Sequence, residues 1–253
     1  MASVKYSLIY ENVLNLCGIE NDENGINQVI PGRVHWKLLR DMISNRLKLG
    51  WQAARWPSLC RTEQRTLVYS ELDDLGRHIP LEQDGENTIS EVFAVRDKNP
   101  AQYEDSVELP WHLSENGIQV VTDLSRVWVF YRQPAPVLSG NLYSNIAGSN
   151  YAQGDQVYDH RLGNFYEAAA DIIGDGTDKS PYAQPDSWEV VGIPDVLRNY
   201  LIRGGYADYL RHNGQMDLSH PAERDAQAAL DQEVGLLETA QGQYIKYDLI
   251  GGY

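Results

Sequence analysis

The chain has 253 residues, 42% of them hydrophobic and 23% charged, enough to bury a core of its own without a disulfide or structural metal. Its formal net charge of -15 argues against a protein that wraps DNA, because holding phosphates takes lysines and arginines that displace counterions. No apolar run approaches the roughly 18 residues of a membrane span, and residues 1–10 lack the basic start and apolar stretch of an export signal, so a protein made and kept in a cytoplasm is expected.

Tyr6, Ile9, Val13 and the neighbours Leu16 and Cys17 recur at helical spacing, and Gly18 supplies a stop. A polar stretch over 20–28 leads to Pro31 and Gly32. The strongest helix signal covers 34–56. Trp36, Leu39, Ile43, Leu47 and Ala54 mark one face, and Leu38, Met42, Leu49 and Ala53 widen it, so the helix should touch neighbours on more than one side. Pro57 ends it, having no backbone N–H to give. Arg33, Lys37, Arg40, Arg46, Lys48 and Arg55 form a candidate basic contact face. Residues 1–75 therefore read as an N-terminal helical part. Cys17 and Cys60 both fall in apolar, helix-like surroundings and read as buried, reduced thiols.

The period changes beyond that. Residues 89–95, 118–121 and above all 127–131 (Val-Trp-Val-Phe-Tyr) are β-branched and aromatic, with turn signals at 98–100 and 115–117. A β-rich part over 76–139 follows. Residues 140–192 are rich in Gly, Asn, Asp, Ser and Tyr and read as a small β module or loop insertion, with short strands near 156–158 and 165–169 and a loop over 174–186.

Helix returns at Pro194, with Val196, Leu197, Tyr200 and Leu201 on one face and the Gly204–Gly205 pair as a kink or division. Ser219 is a candidate N-cap for a second helix carrying Ala222, Ala226, Leu230, Val234 and Leu237 and ending near Gly242. Residues 193–242 would complete a bundle with the N-terminal helices. The last segment, 243–253, alternates apolar and polar residues and reads as an extended docking tail carried by Tyr244, Ile245, Tyr247, Leu249, Ile250 and Tyr253. The fold class expected is α+β, a helical bundle from both ends of the chain with an inserted β-rich region and an extended C-terminal tail.

Charge is unevenly spread. Residues 1–72 hold nine Lys/Arg and seven Asp/Glu; residues 73–253 hold twelve and twenty-nine. An acidic body of this kind suits a passage through which DNA slides without sticking. The 16 Tyr and 6 Trp against 3 Phe favour aromatics with a polar handle, the kind that serve at subunit interfaces.

Chemistry-bearing motifs are lacking. The six histidines have no metal-ligand spacing. The run Gly174-Asp-Gly-Thr-Asp-Lys-Ser180 departs from a phosphate loop, since Asp178 stands where a glycine must precede the lysine. Asp171, Asp175 and Asp178 match no calcium loop, and no serine or cysteine sits in a nucleophile motif. The sequence predicts no catalytic set, no metal site and no cofactor, hence no enzyme.

Five segments carry a resemblance. Leu8-Ile-Tyr-Glu-Asn-Val-Leu-Asn-Leu-Cys-Gly18, Arg46-Leu-Lys-Leu-Gly-Trp-Gln-Ala-Ala-Arg-Trp-Pro57, Val127-Trp-Val-Phe-Tyr-Arg132, Trp188-Glu-Val-Val-Gly-Ile-Pro194 and Tyr206-Ala-Asp-Tyr-Leu-Arg211 together resemble a family of tailed-bacteriophage virion proteins, the head-to-tail connector or adaptor proteins of the neck. The resemblance implies a homo-oligomeric ring, commonly a dodecamer, beneath the portal protein. Such a ring continues the DNA channel towards a downstream neck or tail protein, without sequence-specific DNA binding and without a membrane. It also implies that the C-terminal segment docks on the portal. A stopper or tail terminator is the near alternative.

A second, local resemblance runs through Tyr151, Gly154, Asp155, Val157, Gly163, Tyr166, Ala168 and Trp188, which look like a chitin-type carbohydrate-binding module. It implies glycan stacking on Tyr151, Tyr158, Tyr166 and Trp188 in a virion decoration or tail protein. The same pattern also suits a small β module whose aromatics are core.

Overall fold

The computed structural model describes residues 3–19, 35–69, 77–81, 88–114, 117–139, 141–142 and 149–250, with backbone alone for 141–142 and 241–250. In chain order the elements are β1 (Ser3–Val4), α1 (Tyr6–Leu16), α2 (Trp36–Ala53), β2 (Cys60–Thr66), β3 (Val68–Tyr69), β4 (Arg77–Ile79), β5 (Glu91–Arg96), β6 (Trp111–Ser114), β7 (Gly117–Val120) and β8 (Arg126–Arg132). They continue with β9 (Asn141–Leu142), β10 (Gln156–Asp159), β11 (Asn164–Ala168), β12 (Trp188–Val190), β13 (Ile193–Pro194), α3 (Arg198–His212) and α4 (Met216–Ile250). The chain is α+β, as its periodicities predict. It divides into two compact units: Met1–Ala54 with Pro136–Tyr253, and Arg55–Ala135 between them.

The inserted unit holds a three-stranded sheet, β2-β8-β5, and a four-stranded one, β3-β4-β7-β6. Along β8, Val127, Val129 and Tyr131 point inward by the two-residue period of a strand and join Ile79, Val92, Val95, Ile118 and Val120 in one core. β2 pairs with β8 over its whole length, from Cys60 opposite Arg132 to Thr66 opposite Arg126. Residues 60–66 were expected within the helical part; their Arg-Thr-Glu-Gln-Arg run lacks an apolar alternation, and only the β8 ladder makes them a strand. Arg65 is buried there, donating to the Tyr131 hydroxyl at 3.0 Å and to Glu63 at 3.2 Å, while Tyr131 donates to Glu63 at 2.7 Å. Gly117 opens β7 with φ +135°, and a Cβ there would stand 2.2 Å from the Ile79 carbonyl oxygen, so only glycine fits at this position.

The other unit joins both ends of the chain. β1 pairs with β13, and the Tyr6 and Ser7 amides at the start of α1 donate to Asn164 Oδ1 and the Gly163 carbonyl at 2.9 Å each. These bonds satisfy orphan donors of the helix N-terminus. Tyr6 and Tyr10 of α1, Trp36 of α2, Tyr158 of β10 and Phe165 of β11 interlock as an aromatic core, with ring centroids 4.9 to 6.2 Å apart. The sheet β12-β11-β10-β9 lies on this core through β10 and β11. α1, α2 and α4 all pack on α3.

Several local readings change. Gly204 and Gly205 do not divide α3, which is continuous; they are thin spots for close packing, Gly204 against Arg46 and Gly205 against Val13. Ser219 is not a cap but lies inside α4, where its hydroxyl donates to the Ala207 carbonyl at 3.1 Å. Nor does α4 stop at Gly242. It runs to Ile250, so 243–250 are helical where an extended tail was expected. The apolar positions in that short run suit either period, and continuity with a long helix decides between them. Tyr253 lies outside the described residues. Cys17 stands at the C-cap of α1, while Cys60 opens a strand where a helix was expected; both thiols are free and half-buried, not buried as expected.

Candidate functional site

The best-defined polar cluster sits where α2, α3 and α4 meet. α2 turns Leu39, Ile43, Leu47 and Gly50 inward, and Arg46 falls on the same buried face. A guanidinium there costs several kcal/mol to desolvate unless it is fully partnered. α3 and α4 supply the partners. Arg46 Nε and Nη2 donate to the two oxygens of Asp208 at 2.7 Å each, a bidentate pair, and Nη1 and Nη2 donate to Glu223 at 2.6 and 2.5 Å. Arg211 closes the square from the solvent side, reaching Asp208 at 3.0 Å and Glu223 at 3.2 Å. The Arg46 side chain is 7% exposed and that of Arg211 46%. Asp208 hydrogen bonding holds the Arg46 guanidinium far above its ordinary range, and the Arg46 bond holds the Glu223 carboxyl below its usual value. The Arg46 stem passes over Gly204, and its guanidinium lies 5.8 Å from the Tyr200 ring centroid.

Beside this square opens a cleft of about 500 Å³, walled by Met42, Asn45 and Leu49 of α2 and floored by the charged residues. Two guanidiniums against two carboxylates leave the floor internally neutralised. The cleft is suited to a protein side chain more than to an ion.

The second feature is the length of α4. Antiparallel to the 15 residues of α3, it runs for 35. Pairings such as Ser219 with Ala207 and Asp225 with Arg203 place α3 against its first fifteen residues, and its buried apolar side chains are Ala222, Ala226 and Leu230. From Asp231 to Ala240 no described residue is buried: Val234 and Leu237 are half-exposed, and Leu236 is 58% exposed. The twenty residues from 231 to 250 span about 30 Å of helix.

The candidate basic face is only partly on the surface. Lys37 and Lys48 are exposed on α2, whereas Arg40 and Arg46 are buried, Arg40 donating to Asp41 and the Ser139 carbonyl. The correction has a simple cause: the apolar stripe of α2 is wide enough to draw its central arginines into the packing. Arg55 follows α2 in the inserted unit, with its guanidinium 4.4 Å from the Phe93 ring centroid. Arg33 lies outside the described residues.

The glycan-stacking residues are corrected too. Tyr158 is 0% exposed in the aromatic core, and Trp188 is buried with Nε1 donating to the Lys179 carbonyl at 2.8 Å. Tyr151 meets Trp188 edge-on at 67°, and Tyr166 packs half-buried beside them. A sugar platform needs coplanar exposed rings; Tyr158 and Trp188 are core, and Tyr151 and Tyr166 pack partly buried against it. Of the tail residues, Tyr244, Ile245, Tyr247, Leu249 and Ile250 belong to the last turns of α4.

Asp208, Arg211 and Glu223 were not singled out from sequence. The available signal was Arg46 itself, a charge at a core register of an amphipathic helix, which demands a buried counter-charge elsewhere. Among the described residues there is no group of three or more His, Cys, Asp or Glu placed to hold a metal, and no helix long and apolar enough to cross a membrane. No family model matches the chain, and neither does any curated protein.

Proposed function

We propose that this protein is a virion structural protein, a head-to-tail connector (adaptor) subunit of a tailed bacteriophage, and that it works by assembly without a chemical transformation. Copies form a ring beneath the portal protein. The acidic body lines or surrounds the channel so that packaged DNA passes to the downstream neck or tail protein without adhering. Helices from both ends of the chain make the bundle of each subunit, and the end of α4, in place of an extended tail, is the portal-docking element.

The observation that carries this reading is the overhang of α4 beyond α3. In proteins most helical stability comes from packing an apolar stripe rather than from helix propensity. Here the stripe of Ala222, Ala226 and Leu230 continues through Val234 and Leu237, where α3 is no longer alongside. A helix built in this way is completed by another chain. The five segments of family resemblance support the same assignment. The burial of Tyr158 and Trp188 weighs against the glycan-binding alternative.

Native mass spectrometry of the purified protein, alone and with its portal protein, tests the proposal. Rings or a portal complex are expected. A protein that stays monomeric in virion-like salt with portal present sinks it. Removing 243–253 should abolish portal association while the unfolding midpoint stays near wild type, since among the residues whose side chains are described the last buried one of α4 is Leu230.

A further inference from the structure

We infer that the first part of the α4 overhang, residues 231–240, in one copy lies in the α2–α3–α4 cleft of the next, making a head-to-tail interface between identical chains and leaving the end of the helix to the portal. The inference rests on the ring reading and names the surfaces that would build the ring.

The cleft and the overhang complement each other. Leu49, at the rim, is 56% exposed, and Met42 and Asn45 continue that wall along α2. The charged floor is satisfied by its own four partners, so a guest need bring no counter-ion. It must bring apolar side chains on a helix, and Val234, Leu236 and Leu237 are such side chains, partly or largely exposed. Charge fits as well. Residues 231–240 carry Asp231, Glu233 and Glu238 and no Lys or Arg. Lys37 and Lys48 are both exposed and, eleven residues apart, stand on the same side of α2, next to the stripe that walls the cleft.

The guest cannot be the chain's own helix. Leu236 lies thirteen residues beyond Glu223, which lines the cleft, and that is about 20 Å along a continuous helix. Two different surfaces of one chain, complementary and out of reach of each other, define a heterologous contact, the kind that closes into rings when the rotation per subunit permits.

Paired cysteines test this in the full chain, in a Cys17→Ser, Cys60→Ser background. Leu49→Cys with Leu236→Cys in the same chain should give, on mild oxidation, a ladder of covalent multimers on a denaturing gel. Mixing the two single variants should give dimers and nothing larger. Within one chain the two sites are too far apart for the roughly 5.5 Å Cα spacing of a disulfide. If native mass spectrometry shows rings and the double variant does not cross-link, the interface lies elsewhere and this inference falls while the adaptor reading stands. If the protein is monomeric with and without portal, both fall. Charge reversal gives a second readout that needs no cysteine: Lys48→Glu should weaken ring formation about threefold to fivefold, and Glu233→Lys added to it should recover most of the loss. Equal assembly of Lys48→Glu and wild type overturns the placement.

Discussion

Gly204 lies so close to Arg46 that a Cβ at position 204 would stand 2.9 Å from Arg46 Cδ and 3.1 Å from Nε. That approach lets the arginine stem of α2 cross α3 and deliver its guanidinium to one carboxylate on α3 and another on α4. The Arg46 head is fixed by four hydrogen bonds, so the stem cannot yield without losing some of them. Gly204→Ala should therefore destabilise the protein, overpacking of about 1–3 kcal/mol outweighing a helix-propensity gain of about 1 kcal/mol. Gly235→Ala, at an exposed position where a Cβ meets nothing within 4 Å, should be neutral or stabilising. Denaturant midpoints of the two variants check the pair; equal effects would remove the packing explanation.

Removing Arg46 strands two carboxylates at the same junction. Arg46→Met should cost roughly 3 kcal/mol, the low end for breaking a buried pair, because Glu223 keeps some contact with water. pH supplies a second check. Glu223 has its folded pKa lowered below the ordinary 4.5, chiefly by the Arg46 hydrogen bond, so it binds its proton less readily when folded than when unfolded. Its contribution is complete above the ordinary value and lost as pH falls through the lowered one. Unfolding midpoints of wild type and Glu223→Gln should therefore differ at neutral pH and converge below the usual glutamate range. A gap that persists unchanged in acid would show that the bond to Arg46 is not its source.

How far the sequence could be read follows from what each element depends on. α1, α2 and β8 were legible because their apolar spacing repeats over a whole element, and a strong period survives any tertiary context. β2 was not, because its stability resides in the facing strand and in Arg65, whose burial depends on Tyr131 some 66 positions away. The end of α4 was misread for a related reason: Tyr244 to Ile250 carries apolar residues compatible with both periods. At the junction, Arg46 was legible as basic but not as buried, since Asp208 and Glu223 are 162 and 177 residues distant in sequence. Tyr158 and Trp188 matched a sugar-binding spacing, yet which way a ring faces is decided by what packs on the sheet.

Burial pushes the Cys17 thiol up to about 12, so almost none of it is thiolate at neutral pH. In the native protein Cys17 should react with iodoacetamide at least tenfold more slowly than in urea at the same pH. Mass spectrometry of peptides from a timed alkylation measures this. Equal rates in the two states would mean that the C-terminal end of α1 opens freely.

Tyr6 and Tyr158 meet near-perpendicularly, centroids 5.9 Å apart, and among the described residues neither buried hydroxyl has a hydrogen-bond partner. Desolvation drives both phenols well above their ordinary pKa, so both are neutral donors. An unsatisfied buried hydroxyl costs about 1–3 kcal/mol. Tyr6→Phe and Tyr158→Phe should each raise the unfolding midpoint, an uncommon direction for a core substitution. Tyr158→Ala, which empties a site packed against Trp36 and Phe165, should lower stability by about 3–5 kcal/mol. A ring serving a sugar platform would behave otherwise: its removal would leave stability near wild type and weaken retention on a glycan array. Midpoints and array binding, measured on the same three variants, separate a core tyrosine from a ligand-stacking one.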